Sequence, residues 1–493
     1  MQVVVIGAGV AGLATALTLS RSGHSVTLLE RDATPLPPDP AGAFEWDRRG
    51  APQVRHSHAF LARLRNLLRD RYPDVLQALL DAGATDMDFI AMLPEGMDRT
   101  PHEGDEDLVA LACRRTTFEW VLRTIALDNP AVTLIDGVAA ASLMGRPSGG
   151  PGEPAVVTGV CLADGRELTA DLVVLSGGRR STMATLFDPL GIEIEEHEED
   201  TGIVYLSRFF ELNDDSAYPE QTGPIGGDLG YLKYGVFPGD NRTFSITLAV
   251  GSHDDEFRSG LLDPDGFLRA AAALPATAAH VDGRAFPVTG VNVMAKLLNR
   301  ERRFLDKDGN PLVIGVSAVG DAHTCTNPLY GRGCSLAVVQ ADLLATSLSE
   351  HPDDPTARVV AYEQASREQI HPWYRASVAQ DAATRAEAER ARALAERDVA
   401  EPDEPSRAPE PPPTEDPMRA IMRDGLFPAM RVDPVVLRAF LRMFNLLEPP
   451  DSLMSNWDVL GRVMTVYQER DDRPPEPSLG PDRAQMLAAL HAA

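Results

Sequence analysis

Positive charge is scarce in this 493-residue chain: 46 lysines and arginines stand against 73 aspartates and glutamates, a net charge of −27. A surface of that sign repels phosphate backbones and anionic bilayers, so nucleic acid is not an expected partner. Cysteine is scarce too. Cys113, Cys161, Cys325 and Cys334 form no C-x-x-C pair, which argues against a disulfide framework or a zinc site and fits a reducing cytoplasm. No apolar run is long enough to span a bilayer, because the stretch from Val3 to Leu19 is broken by Gly7, Gly9 and Gly12 and carries no basic leader. No internal repeat is visible, and no Ser/His/Asp set or carboxylate pair stands out as a catalytic unit. The length exceeds the roughly 250 to 300 residues at which one hydrophobic core stops growing, so two or three subregions are expected.

What is present begins at the amino terminus. Gln2 to Ile6 is a β-branched run suited to a parallel strand buried on both faces. Gly7-Ala8-Gly9-Val10-Ala11-Gly12 follows and opens a helix. In this pattern the first glycine allows a tight turn, the second lets the backbone approach a pyrophosphate, and the third lets helix pack on strand. A second strand, Ser25 to Leu29, ends in Glu30, 18 residues beyond Gly12, near the spacing at which an acid accepts hydrogen bonds from an adenosine ribose. Arg31 follows in the same turn. Strand, glycines, helix, strand and acid together predict a dinucleotide site, with Gly7, Gly9, Val10, Ala11, Gly12, Glu30 and Arg31 on it. They do not choose between NAD and FAD.

The segment from Pro311 to Ala337 makes that choice. An apolar strand over Leu312 to Val316 leads to Gly320-Asp321-Ala322, and Gly331-Arg332-Gly333 opens another helix. This resembles the G-D motif of the glutathione-reductase-type FAD enzymes, in particular the aromatic hydroxylase, squalene epoxidase and monensin- or lasalocid-type polyether epoxidase branch of the FAD-dependent monooxygenases. The resemblance implies that Gly320 and Asp321 meet the ribitol of a non-covalent FAD, that Pro328 to Gly333 pass beside the flavin ring, and that Cys334 lies near it. Tyr330 and Arg332 then become flavin-proximal candidates. The plainer alternative is that Asp321 only caps a helix.

Two further stretches fit the same resemblance. Arg115-Thr-Thr-Phe118-Glu119 sits where relatives place an arginine that contacts FAD, although a surface charge at a helix start would look the same. Trp46 to His58 resembles the flavin-side loop of the polyether epoxidases and adds Gln53 and Arg55 as flavin-proximal candidates, Arg55 also as a cofactor contact. His56 and His58 lack an acidic or cysteine partner at ligand spacing, so loop ordering and flavin contact are preferred over a metal. The chain departs from the hydroxylases at Ser176-Gly177-Gly178-Arg179-Arg180-Ser181, where relatives carry an Asp-Gly motif linked to FAD and NADPH binding. Gly177 takes the acid's place, which puts direct use of NADPH in doubt and leaves NAD(P)H or a separate flavin reductase as electron source. The tryptophan-rich motif of the flavin-dependent halogenases is missing, which disfavours halogenation.

From about Gly202 to Phe304 the pattern becomes short alternating strands with turn signals such as Pro238-Gly-Asp-Asn, predicting an antiparallel sheet. The resemblance places substrate there, and Tyr231, Tyr234 and Phe237 are candidate pocket residues, or ordinary core. Asp354-Pro355 and Asp433-Pro434 read as helix starts, and Pro372 should kink or end the first of those helices. Glu401 to Pro417 holds seven prolines and six acids and reads as an extended linker. Methionines cluster after it, as core filler or as a lid over an apolar ligand.

The expected fold is α/β: a discontinuous Rossmann-type FAD-binding domain with an inserted antiparallel β-sheet substrate domain and a helical C-terminal region. The boundaries are 1–80, 113–200 and 305–350 for the FAD-binding parts, 81–112 and 201–304 for the substrate parts, and 351–493 for the helices, with the linker at 401–417. The resemblance implies epoxidation or hydroxylation of a lipophilic, secondary-metabolite-like substrate by molecular oxygen through a flavin C4a-hydroperoxide. The alternatives are an FAD-dependent dehydrogenase or double-bond reductase similar to the geranylgeranyl reductases, and a non-catalytic carrier on the same fold.

Overall fold

The computed structural model describes residues 1–94, 96–150, 152–181, 183–219, 225–400, 417–474 and 478–492. The segment read as a linker at 401–417 lies outside the described residues except for its last position. A parallel sheet starts with β1 (Gln2–Ile6), α1 (Val10–Arg21) and β2 (Ser25–Glu30), and continues through α2 (Arg115–Asp128), β3 (Val132–Asp136) and β4 (Leu172–Leu175). The chain then leaves for an antiparallel sheet centred on β5 (Ile203–Leu212), β6 (Leu232–Pro238) and β7 (Thr243–Gly251). It returns through β8 (Leu298–Arg303) to β9 (Val316–Ala318), followed by α3 (Gly333–Glu350), α4 (Pro355–Gln369) and α5 (His371–Ala400).

Strand order in the parallel sheet is β9-β4-β1-β2-β3. Both faces are covered, which is why β1 reads as a continuous aliphatic run rather than an alternation. Val3 and Val5 pack with Leu13 and Leu17 of α1, Phe118 and Leu122 of α2, and Val338 and Leu344 of α3. Val4, Val173 and Leu175 face the other way, onto Leu143, Val157 and Phe187. The parallel-sheet part is therefore discontinuous, with its last strand arriving after the inserted sheet.

In the antiparallel sheet the two faces differ in chemistry. Leu206, Phe210, Ile246 and Leu248 make an apolar face against helices at 255–262 and 264–273 and the helix at 483–490. Tyr205, Ser207, Ser245 and Thr247 occupy the opposite face, with Ser207 paired to Thr247 in the β5–β7 register. A small sheet formed by 195–200, β8 and 324–325 bridges the two parts and straddles the boundaries drawn at 200 and 304.

The start at Asp354-Pro355 is as the sequence implies: the Asp354 carboxylate accepts from Ala357 N–H. That helix stops at Gln369, and Pro372 falls in the first turn of α5, where its missing N–H costs nothing. Asp433 caps the helix at 434–444 in the same way. The C-terminal helices have their own apolar cluster around Leu426, Val436 and Val459, into which Met422, Met430 and Met443 pack. They are fastened to the body by Arg438 on Asp105 and by buried Asn445, whose Oδ1 accepts from Ala62 N–H. Among the described residues no helix is long and apolar enough to cross a membrane.

The glycine turn shows how tightly strand, helix and β4 meet. A Cβ on Gly12 would lie 1.8 Å from the Gly7 carbonyl oxygen and 2.7 Å from Ser176 Oγ. Gly12→Ala should therefore lower stability by about 3 kcal/mol, at the upper end of ordinary overpacking. Urea unfolding within 1 kcal/mol of the parent would show that α1 does not pack as described.

Candidate cofactor and substrate site

One elongated cavity runs between the two cofactor segments that the sequence singles out. Gly7, Gly9, Val10 and Ala11 line it from the first segment, and Asp321, Pro328, Gly331, Gly333 and Cys334 from the second. Glu30, Arg31, Gln53 and Arg115 also line it. Gly12 and Gly320 do not: both lie in packing contacts beneath it, a Cβ on Gly320 meeting Ala11 Cβ at 2.7 Å. Arg55 is turned away, its Nη1 donating to the Phe44 carbonyl.

The fit to a dinucleotide is tested by what the walls leave unpaired. Neither α1, beginning after Gly9, nor α3, beginning after Arg332, has a side-chain cap, so both helices present first-turn N–H groups toward the cavity. A Cβ on Gly9 would enter open space, its nearest neighbour being Glu119 Oε1 at 3.8 Å. The Glu30 carboxylate accepts on Oε2 from Ala8 N–H and Arg48 and on Oε1 from Asp32 N–H, which leaves Oε1 able to accept once more. Two donor-rich helix ends, a backbone opening and an acid with spare capacity suit a pyrophosphate-bridged nucleotide. The residues fit FAD.

A buried chain of charges fixes the floor. Arg48 Nη2 donates to the Ala8 carbonyl at 2.9 Å and to Glu119 Oε1 at 3.1 Å, and its guanidinium lies over the Trp46 ring. Arg115 Nε donates to Glu119 Oε2 at 3.2 Å and Nη1 to His58 Nε2 at 3.2 Å. His58 Nδ1 must donate to the His56 carbonyl, 2.9 Å away. That assigns the proton to Nδ1 and leaves Nε2 as the acceptor for Arg115. Burial, reinforced by Arg115, holds His58 well below the usual histidine range, so it is neutral. Burial alone would raise the Glu119 carboxyl, but Arg115 and Arg48 together bring it below its ordinary value. Arg48, His58 and Glu119 stand inside stretches already marked in the sequence; the signal missed was that two arginines and one fully buried glutamate must pair.

Tyr330 and Arg332, expected beside the flavin, do not line the cavity. Their loop is bent so that Pro328 and Gly331 face inward while these side chains turn to α5. Trp373, Ser377 and Asp381 recur every four residues along one face of α5, and all three are buried. The Arg332 guanidinium lies between the Tyr330 and Trp373 rings, 4.8 Å from each centroid, with Nη1 donating to Ser377 Oγ. Burial lowers it to about 10. Asp381 accepts from Tyr330 OH at 2.7 Å, Asn327 Nδ2 at 2.8 Å and Asn299 Nδ2 at 2.7 Å. No local sequence pattern announces this clamp, because its partners are brought together only by packing.

The polar face of the antiparallel sheet closes the cavity at the same end. His56 donates to or accepts from Ser207 Oγ at 3.2 Å and stands edge-on to Tyr205, while Ser57 Oγ bonds Ser245 and Thr247. Tyr205, Met294, Leu297 and Leu298 form this part of the wall. The pocket residues expected from the strands are elsewhere. Tyr234 is on the apolar face, its hydroxyl donating to the Leu479 carbonyl, and Tyr231 packs on Phe257 with its hydroxyl on the Pro481 carbonyl. Phe237 is in register with Ser245 on the polar face, but it is outside the cavity lining. Strand alternation was legible; which face met the cofactor domain was not.

Residues 2–37 match the family model described as FAD dependent oxidoreductase. The fold is that of the FAD-dependent oxidoreductases. Among curated proteins the chain is 28% identical over 367 residues to Protein Rv3254 of Mycobacterium tuberculosis, covering 70% of this chain and 72% of that one. It is 25% identical over 390 residues to kynurenine 3-monooxygenase of Salinispora tropica, covering 74% and 76%. Among solved structures, Pseudomonas aeruginosa PqsL in complex with 2-aminobenzoylacetate superimposes with a TM-score of 0.55 at 17% identity, over 77% of this chain and 94% of that one. The flavin-dependent brominase Bmp2 superimposes with a TM-score of 0.60 at 14% identity, over 96% and 100%.

Two outcomes follow from the geometry of this FAD-type site. Gly9→Val fills only open space, so it should leave urea stability within about 1 kcal/mol of the parent while weakening FAD binding at least tenfold by fluorescence titration; undiminished affinity would remove the pyrophosphate from Gly9. The second concerns His56, which burial, with Arg179 adding to it, lowers to about 4 from 6.5. The unfolded chain takes up this proton as pH falls below 6.5 and the folded chain only near 4, so the stability present above 6.5 is lost on acidification. His56 alone should cost about 2 kcal/mol between pH 7 and 5, and His56→Gln should flatten the pH dependence of urea unfolding by that amount. An unchanged slope would place His56 in contact with solvent.

Proposed function

We propose that this chain is an FAD-dependent monooxygenase that epoxidises or hydroxylates a lipophilic small molecule. The observation that carries the reading is one continuous cavity onto which two uncapped helix N-termini open at one side and a wall of Tyr205, Met294, Leu297 and Leu298 at the other. Bound FAD would supply electron transfer and the activation of molecular oxygen. The protein's share is to bind, orient and keep water out.

The α1 N-terminus would hold the pyrophosphate, Glu30 the adenosine ribose and Asp321 the ribitol. The Asp321 carboxyl is pushed up by burial and held down by Arg115 and Arg179. The α3 N-terminus, beginning at Gly333, would offer N–H groups to negative charge on the reduced ring, an electrostatic task for which fixed dipoles serve well. The Asp381 clamp and the Arg332 stack hold the loop before that helix, so those donors stay aimed. His58, neutral and bonded at both nitrogens, holds Arg115 in place without itself trading a proton. The electron source is NAD(P)H or a separate flavin reductase; Gly177 in place of the relatives' acid favours the latter.

The test is oxygen transfer. FAD-loaded protein, reduced by NADH, NADPH or an added flavin reductase in separate trials, should place isotope from heavy oxygen gas into product across a panel of lipophilic alkenes and arenes. Products altered by hydrogen alone, with no label, would overturn the reading in favour of a dehydrogenase or reductase. Asp321→Ala should weaken FAD retention at least tenfold by equilibrium dialysis; unchanged occupancy would remove Asp321 from the cofactor.

A further inference from the structure

Most arginines around the cavity are spoken for. Arg48 and Arg115 share Glu119, and Arg31 and Arg180 are exposed to solvent. Arg179 is half-buried, lines the cavity, and makes no side-chain hydrogen bond or ion pair among the described residues. In a chain with 73 acids to 46 bases, a partly buried cation with no carboxylate in hydrogen-bonding contact is unusual, since burying a charge without such a contact is costly.

Its position is fixed by backbone. The 178–180 turn packs on the 320–322 turn, and the Arg179 carbonyl accepts from Arg300 Nη1 at 2.8 Å. Arg300 is in register with Cys325, and the next residue is Thr326. Thr326 lines the cavity, and its buried hydroxyl has no hydrogen-bond partner. Opposite, the buried Tyr205 hydroxyl also borders the cavity and donates only to the Met294 thioether at 2.9 Å, a weak acceptor. The Arg179 charge is near enough to both walls to bias Tyr205 and His56 on one side and Asp321 and Cys325 on the other. A guanidinium with no hydrogen-bonded acid, a threonine with an orphaned hydroxyl and an under-used phenol thus line one cavity together with Met294, Leu297 and Leu298.

We infer that Arg179, Thr326 and Tyr205 form an oxyanion-binding subsite that takes the carboxylate head of the substrate, whose apolar body lies against Met294, Leu297 and Leu298. The inference rests on the monooxygenase reading and narrows its substrate class from lipophilic molecules to amphiphilic acids. An unpaired guanidinium with neutral donors beside it suits a carboxylate and leaves a neutral amide of the same shape poorly held. The same donors could instead serve a phosphate of the dinucleotide, so the test separates the two oxyanions.

FAD-loaded protein is titrated with matched acid and amide pairs, benzoate with benzamide, 3-phenylpropionate with its amide and decanoate with decanamide, following the flavin absorbance. At least one acid should bind ten times or more tightly than its amide. Arg179→Met should abolish that preference, Arg179→Lys should restore part of it, and Thr326→Val should weaken the acid at least threefold, with FAD affinity falling less than tenfold in every variant. Equal binding of every acid and amide, or no binding of any, would overturn the subsite. So would a tenfold loss of FAD affinity in Arg179→Met, which assigns the cation to the cofactor's phosphate. If Arg179→Met does not fold, Thr326→Val and Tyr205→Phe carry the same comparison, and wild-type acid selectivity in both overturns it. A wild-type protein that takes up no FAD defeats the monooxygenase reading itself, whereas one that takes it up without acid preference defeats only the subsite.

Discussion

Glu119 is shared between two arginines in a place where none of the three can reach bulk water freely, and the rest of the site is arranged around that fact. Glu119 lies between Arg48 and Arg115, Glu30 takes the other side of Arg48 so that two arginines meet two carboxylates, and neutral His58 ends the chain beyond Arg115. A network of this kind contributes little as a set of ion pairs, because desolvation offsets most of the attraction. Its value is geometric. It joins the second strand, the loop at 46–58 and the start of α2, three pieces of chain that the parallel sheet alone does not hold in register with one another.

The opposite wall is held by a different chemistry. The loop from Asn327 to Arg332 is a single 3-10 turn, and it is stabilised from behind by α5 through a stacked guanidinium and a carboxylate with three donors. Burial pushes the Asp381 carboxyl up, while its three donors pull it back. The outcome is that Pro328 and Gly331 make the inward side of the loop, and its polar side chains are spent on anchoring. A wall built from a proline and a glycine offers few polar groups to a ligand, which leaves discrimination among ligands to the sheet side.

How much of this was legible in the sequence depends on the distance over which the cause acts. The glycine turn, Glu30 and the G-D segment are local patterns with local physics; Gly7, Gly9, Glu30 and Asp321 lie on the cavity, while Gly12 and Gly320 serve the packing beneath it. The discontinuous α/β arrangement followed from the same two anchors. Arg115 was legible through its motif, yet Glu119, four residues on, was needed to see what holds it. Tyr330 and Arg332 were misplaced because nearness along the chain to Gly331 was taken for nearness to the ring; the turn at Gly331 sends its neighbours outward. Tyr231 and Tyr234 were misplaced because alternation gives two faces without saying which is wet, and the serines and threonine on the other face were the better sign. Arg179 stood in a stretch read for the acid it lacks rather than for the cation it holds.

The α5 strip also imposes an order of events on synthesis. The nucleotide-binding end of the cavity draws on β1, α1 and β2, all made first, but the ring-side loop stays unsupported until Trp373, Ser377 and Asp381 have left the ribosome and coiled into helix. Completion of the pocket therefore belongs to the last third of translation rather than to its beginning.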